Sequence, residues 1–296
     1  MTSMSEKQKA IFYNVCSAFF FALMNMFVKM AGDLPAIQKS FFRNFVAFFM
    51  ALFLLMRSGA GFSFQKKNLP AFFGRSIFGT LGILCNFYSV DHLLLSDASI
   101  LNKLSPFFAI LSSYFILKEK ITPIQGTAVA VAFGGALLVV KPSFAMAGVL
   151  VPSLIGVAGG LFAGVAYTLV RVLGQRGERG PFIVLFFSAF SCIVTLPFLI
   201  FDYHPMTGTQ ILMLLFAGLS AAGGQFTITA AYTHAPAREV SVYDYTQIVF
   251  AAALGFIFFS QIPDFWSIIG YCIIAGVAVW MFVYTARKDR SSKAGK

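Results

Sequence analysis

Three polar side chains, Ser99, Asn102 and Lys103, stand three or four residues apart inside a long apolar run. On a helix such spacing puts them on one face. Pro106 has no amide hydrogen, so the carbonyl of Asn102 loses its helical donor and is free for a ligand, water or a neighbouring helix. An ammonium group at membrane depth costs about 3 kcal/mol or more, so Lys103 is expected to face a cavity or a partner and not lipid. A second polar set, VSVYDYTQ, brings Tyr243, Asp244, Tyr245 and Gln247 into another apolar run. A cation and a carboxylate held apart suit a zwitterionic or carboxylate-bearing ligand, and the tyrosines offer walls for its body. The plainer alternative is an ion pair between Lys103 and Asp244 that only holds two helices together.

These residues sit in a chain of 296 residues that is 58% hydrophobic and only 11% charged, with 37 phenylalanines. Soluble domains carry about 25% charged residues, so the composition points to a polytopic membrane protein. Cys16, Cys85, Cys192 and Cys272 all fall inside apolar runs without Cys-x-x-Cys spacing, which suggests neither a disulfide framework nor a metal site. The net charge of +11 is spread over short loops and the C-terminal tail, so nucleic acid is not expected as a partner. The first apolar run, residues 10–31, is long enough to span and no cleavage-site pattern follows it, so a secretory leader is not expected there.

The elements that must position the polar sets are ten apolar segments at about 10–31, 37–56, 70–90, 94–117, 121–140, 148–170, 181–201, 208–232, 236–260 and 264–285. Each is near the length of about 20 residues that a bilayer requires. The predicted fold class is therefore all-α integral membrane, with ten transmembrane helices. Alternating the loops between two sides collects Lys7, Lys9, Arg57, Lys66, Lys67, Arg75, Lys118, Lys120, Arg171, Arg176, Arg179, Arg238 and the basic tail on one side. By the positive-inside rule both termini are cytoplasmic.

The halves align at one offset. Lys29 falls on Arg171 (171 − 29 = 142), and the same shift pairs Phe20 with Phe162, Gly82 with Gly224, Ser99 with Ser241 and Gly134 with Gly276. Five crossings per half force the second half to enter from the opposite face, which predicts two inverted five-helix repeats, residues 1–145 and 146–296, with the site between them near the midplane. The shift sets Asn102 opposite Asp244 and Lys103 opposite Tyr245. Counting from the centres of uninterrupted helices separates the backbones of Lys103 and Asp244 by about 12–14 Å in depth at 1.5 Å per residue, which favours a ligand or water between the charges.

Other polar groups lie at membrane depth. Asn25, Asn86 and Gln225 are further candidate substrate ligands, although Gly79, Gly82, Gly223 and Gly224 beside the latter two argue for packing. Gln225, Thr229 and Tyr232 follow helical spacing as a stripe. Lys29 and Arg43 stand near the outer ends of their segments, where long side chains reach the interface, so they are read as anchoring or gating residues, Arg43 together with Asn44. His92, His204 and His234 are isolated, and no Asp-rich motif or P-loop is present, which disfavours a membrane-embedded enzyme, a metal site or transport driven by ATP hydrolysis within this chain.

The stretch around the first polar set, Ala98, Ser99, Pro106, then Leu117, Lys118, Glu119, Lys120 and the restart Thr122, Pro123, Gln125 and Gly126, resembles the EamA type of drug/metabolite transporter. The resemblance implies a secondary carrier, not an enzyme, moving a small organic metabolite across a bacterial inner membrane by alternating access. It implies no cofactor. The expected partners are that metabolite and membrane lipid, with Asp244 available for proton coupling, and the chain acting as a monomer or a weak homodimer. In the second half the acidic exit motif is replaced by Phe259, Ser260, Gln261 and Ile262, and Pro106 has Ile248 as its repeat mate, so the motif does not carry over there.

Overall fold

Why the backbone is helical throughout follows from the solvent: in hydrocarbon every amide must be paired within its own segment. The computed structural model describes residues 6–57, 64–118, 122–140, 147–234 and 241–294. Its helices are α1 (Glu6–Met30), α2 (Ala36–Arg57), α3 (Leu69–His92), α4 (Leu95–Asn102), α5 (Ser105–Ile116), α6 (Pro123–Val140), α7 (Ala147–Gln175), α8 (Gly180–Phe201), α9 (Gly208–His234), α10 (Thr246–Phe259) and α11 (Phe265–Ala294). Short 3₁₀ turns, Lys66–Asn68 and Ser241–Tyr245, precede α3 and α10. No strand occurs among the described residues.

The chain is an all-helical integral membrane protein. Six units within the described residues are long and apolar enough to cross a bilayer: Gln8–Met30, Ala36–Arg57, Leu95–Ile116, Gly148–Gln175, Gly180–Phe201 and Gly208–Ile228. Gly126–Val139, Tyr243–Phe259 and Phe265–Met281 are apolar but shorter. With 24 residues α3 has the length, but Arg75, Asn86 and Asp91 dilute it. The fourth segment departs from expectation, because it is not one continuous helix but α4 and α5 joined at Lys103 and Leu104.

The principal contacts run between α1 and α9, α3 and α7, α2 and α8, and α6 and α11, with α4 lying against α10. The largest apolar core surrounds the α4–α5 joint, with Leu95, Ile100, Leu101, Leu104, Phe107 and Phe108 packed among Met24, Val28, Phe87, Val90 and Ile248. Glycines let the backbones approach. A Cβ at Gly82 would lie 3.3 Å from the Ala163 amide of α7, one at Gly160 2.8 Å from the Leu101 carbonyl, and one at Gly164 2.7 Å from the Ser105 carbonyl. Small residues here are packing devices. The rings of Phe20 and Phe21 fill the space over Gly223 and Gly224 in the same way. Gly164→Val is therefore expected to cost about 1–3 kcal/mol through overpacking, read as a lower thermal midpoint of the detergent-solubilised protein, while the same change at Gly174, where a Cβ meets nothing within 4 Å, leaves the midpoint in place.

Candidate functional site

The α4–α5 joint follows from Pro106. It occupies the first turn of α5, where a missing amide hydrogen is tolerated. The chain ahead of it makes a last regular helical bond, from the Lys103 amide to the Ser99 carbonyl at 3.1 Å, and then tightens, the Leu104 amide donating to the Leu101 carbonyl at 3.2 Å. The opposing element breaks at the repeat-equivalent place without a proline. There the 3₁₀ turn Ser241–Tyr245 gives way to α10, and the Thr246 hydroxyl donates to the Tyr243 carbonyl at 2.6 Å. A threonine hydroxyl that bonds its own backbone competes with the regular helical ladder.

The two breaks touch. The Lys103 ammonium donates to Asp244 Oδ2 at 2.7 Å, with 7% and 21% of the two side chains exposed. The Tyr245 hydroxyl donates to the Lys103 carbonyl at 3.0 Å. Lys103 and Tyr245 are separated by 142 residues, the offset at which the two halves of the sequence align. The two charges pair directly at a joint between short helical pieces, where counting along uninterrupted helices set them apart.

Around the pair, Ser99 is buried one turn before Lys103, and its hydroxyl oxygen has no hydrogen-bond partner among the described residues. The second carboxylate oxygen of Asp244, Oδ1, is likewise buried and unpartnered. Asn102 and Tyr243 are half-buried beside it, and Gln247 is buried in the first turn of α10. The structure thus brings Ser99, Asn102, Lys103, Tyr243, Asp244, Tyr245 and Gln247 to one junction. Asn25 and Asn86 form a separate contact, with the Asn86 amide donating to Asn25 Oδ1 at 3.1 Å between α1 and α3. Gln225 is half-buried on α9. The side chains of its expected stripe mates, Thr229 and Tyr232, lie outside the described residues.

The two expected anchors have specific partners. The Lys29 ammonium donates to the carbonyls of Val90 at 2.6 Å and Leu93 at 2.7 Å, tying α1 to the C-terminus of α3, where a cation complements the helix dipole. Arg43 is 3% exposed and donates to the Asn44 side-chain oxygen at 2.7 Å. Arg75, assigned above to a cytoplasmic loop, lies inside α3 at 6% exposure. A basic residue six positions into an apolar segment looks like a flank when loops are tallied for charge.

Sequence reading missed two further polar connections. The Tyr271 hydroxyl of α11 contacts both the Asp97 carboxylate and Ser96, at 2.9 Å from the latter. Gln261 Oε1 accepts the Leu95 amide at 2.9 Å and so caps α4. That second contact explains the altered exit motif, since Gln261 stands where the first half has Glu119 and an amide oxygen serves as the cap. Ser260 just before it and Lys118, its mate at the same offset, both adopt positive φ, 51° and 56°.

The match to known proteins covers the same ground. The EamA-like transporter family model matches residues 8–141 and again 152–283. The pseudopaline exporter CntI of Pseudomonas aeruginosa is 36% identical over 262 residues, covering 88% of this chain and 91% of that protein. Human solute carrier family 35 member G1 is 26% identical over 281 residues, 90% of this chain and 76% of that one. A solved crystal structure at 14% identity superposes with a TM-score of 0.66 over 94% of this chain and 98% of the other, which is a likeness of fold. Matched along nearly its whole length by that model, the chain belongs to the EamA-like transporter family and is a multi-pass membrane transporter, not an enzyme.

Proposed function

We propose that this transporter is a secondary carrier for a small, carboxylate-bearing metabolite, amino-acid-like in its charges, and that Lys103 and Asp244 form the centre of its site. The carrier is built as two inverted five-helix repeats, 1–145 and 146–296, giving ten crossings of a bacterial inner membrane with both termini cytoplasmic. The contact pattern supports this reading. Under the 142 shift α1 maps on α7 and α3 on α9, so the α1–α9 and α3–α7 contacts are mates, while α2–α8 and α6–α11 each join an element to its own mate.

The observation that carries the site is the ion pair at two abutting helix breaks. A charge pair that bridges the halves is made in one packing and opened in another, which is what alternating access needs from its centre. A substrate carboxylate competes with Asp244 for the Lys103 ammonium, with Asn102 and Ser99 beside it as further donors. The released Asp244 takes a substrate amine or a proton. Tyr243, Tyr245 and Gln247 line the same junction, Asn25, Asn86 and Gln225 form a second tier of polar groups, and Lys29 anchors α1 to α3. CntI is named an exporter of pseudopaline, and a metabolite cargo for this chain agrees with that name.

A ligand screen by thermal shift on the purified protein tests the reading, because a ligand that binds the folded state stabilises it by mass action, about 2.7 kcal/mol at a hundredfold excess over Kd. Zwitterionic and anionic carboxylates are expected to raise the midpoint and simple amines without a carboxylate to leave it unchanged. Stabilisation by the amines alone would contradict a carboxylate-reading Lys103.

A further inference from the structure

Arg43 on α2 and Arg75 on α3 face one aromatic ring. The guanidinium carbons lie 6.0 Å and 4.2 Å from the centroid of Phe187 on α8. Both side chains are buried, both Nε atoms lack an acceptor, and among the described residues no carboxylate pairs with either. Arg43 has one neutral partner, the Asn44 side-chain oxygen, which is held by the Asn44 amide donating to Ser191 at 2.8 Å. Arg75 is given room by Gly79, where a Cβ would stand 1.9 Å from Arg75 Nη1. The hydroxyl oxygens of Ser76, Thr80 and Ser188 on the same two helices, α3 and α8, are also buried without partners.

Two cations facing a common ring repel each other, and each is costly at membrane depth. Cation–π contact offsets about 0.5–2 kcal/mol of that cost per pair, and the rest calls for an anion. The space for one is marked by Tyr167 of α7. Gly160 and Gly164 face the α4–α5 unit and Ala163 faces Gly82 of α3. At 100° per residue Tyr167 points about 40° from Ala163 and about 60° from Gly164, into the gap between those two neighbours. It is nevertheless 49% exposed and lies within electrostatic reach of Asp244, Arg75 and Arg43. A side chain in that gap, within reach of charges from three elements, stands where an anion between the two guanidinium groups would meet its phenol.

We propose that Arg43 and Arg75 form an oxyanion subsite, distinct from the Lys103–Asp244 pair, that holds a carboxylate or phosphate group of the transported molecule against Phe187 and Tyr167. Guanidinium forks match both groups with paired hydrogen bonds. The subsite deepens the carrier reading by giving the cargo a second anionic group, but its binding chemistry does not depend on the role of Lys103.

The test is anion binding to the purified full-length protein, followed by thermal shift with citrate, succinate and inorganic phosphate at constant ionic strength. At least one of these anions is expected to stabilise the wild type. Stabilisation by citrate or succinate without phosphate assigns a carboxylate site, and the reverse a phosphate site. The apparent Kd should weaken at least tenfold in Arg43→Met and Arg75→Met and change less than twofold in Arg57→Met, whose exposed side chain at the end of α2 belongs to neither site. The ligand-free midpoint of Arg75→Met should be equal to or above that of the wild type, because an unpaired buried charge has been removed. Should Arg75→Met not fold, Arg75→Lys keeps the charge, loses the fork, and should weaken binding at least threefold. Absence of any anion effect on the wild type, or an effect unchanged in the Arg43 and Arg75 variants, overturns the subsite. An effect lost in Lys103→Met but kept in the Arg43 and Arg75 variants overturns it too, while leaving the carrier reading standing.

Discussion

Lys103→Met is expected to reduce transport at least a hundredfold and to lower stability by about 3 kcal/mol, the lower end of the range for breaking a buried ion pair, since Asp244 keeps 21% of its surface accessible. The stability loss arises because Asp244 would be left as a carboxylate at membrane depth with neither oxygen partnered. The transport loss has a separate origin, the missing ammonium that the substrate reads. Thermal unfolding and uptake into proteoliposomes measure the two effects independently. A variant with wild-type transport would remove Lys103 from the site.

Lys39→Met is expected to cost about 3 kcal/mol without touching substrate recognition, since the Asp91 side chain left behind, like that of Asp244, keeps part of its surface, 20%, accessible. Lys39 is fully buried and donates to Asp91 at 2.6 Å, locking the start of α2 to the end of α3. Removing the ammonium strands a largely enclosed carboxylate, with Lys29 and His92 left as the further basic groups nearby. Asp91→Asn added to Lys39→Met should recover most of the loss, as coupling within one pair requires. An unchanged unfolding midpoint in the single variant would show that the pair contributes nothing to the fold.

The sequence made much of this architecture legible, for identifiable reasons. Apolar segments of bilayer length mark helices because hydrocarbon admits no other open structure, and Lys118 and Ser260, paired by the 142 shift, both take left-handed backbone at a helix end. Pro106 marked the Asn102 carbonyl as unbonded, but the segment was counted as one helix and the joint at Lys103 was not foreseen. The break before α10 was not announced in the same way, since its cause is a threonine hydroxyl bonding to the Tyr243 carbonyl. The depth argument failed for Lys103 and Asp244 because it counted along uninterrupted helices. Arg75 was lost to a tally of loop charges, although it lies four residues before Gly79, the glycine that accommodates it. Contacts such as Tyr271 with Asp97 join residues 174 apart in sequence, and no local pattern encodes them.

The central claim, that the cation at the crossing of the halves reads substrate and does more than hold the halves together, is tested most directly by uptake of a carboxylate metabolite in the Lys103→Met, Asp244→Asn double variant. With both charges gone no unpaired ion remains, so the account predicts a midpoint near that of the wild type and transport that stays at least a hundredfold below it. Recovery of full transport together with stability would show that the pair is a structural bridge, and would contradict the claim.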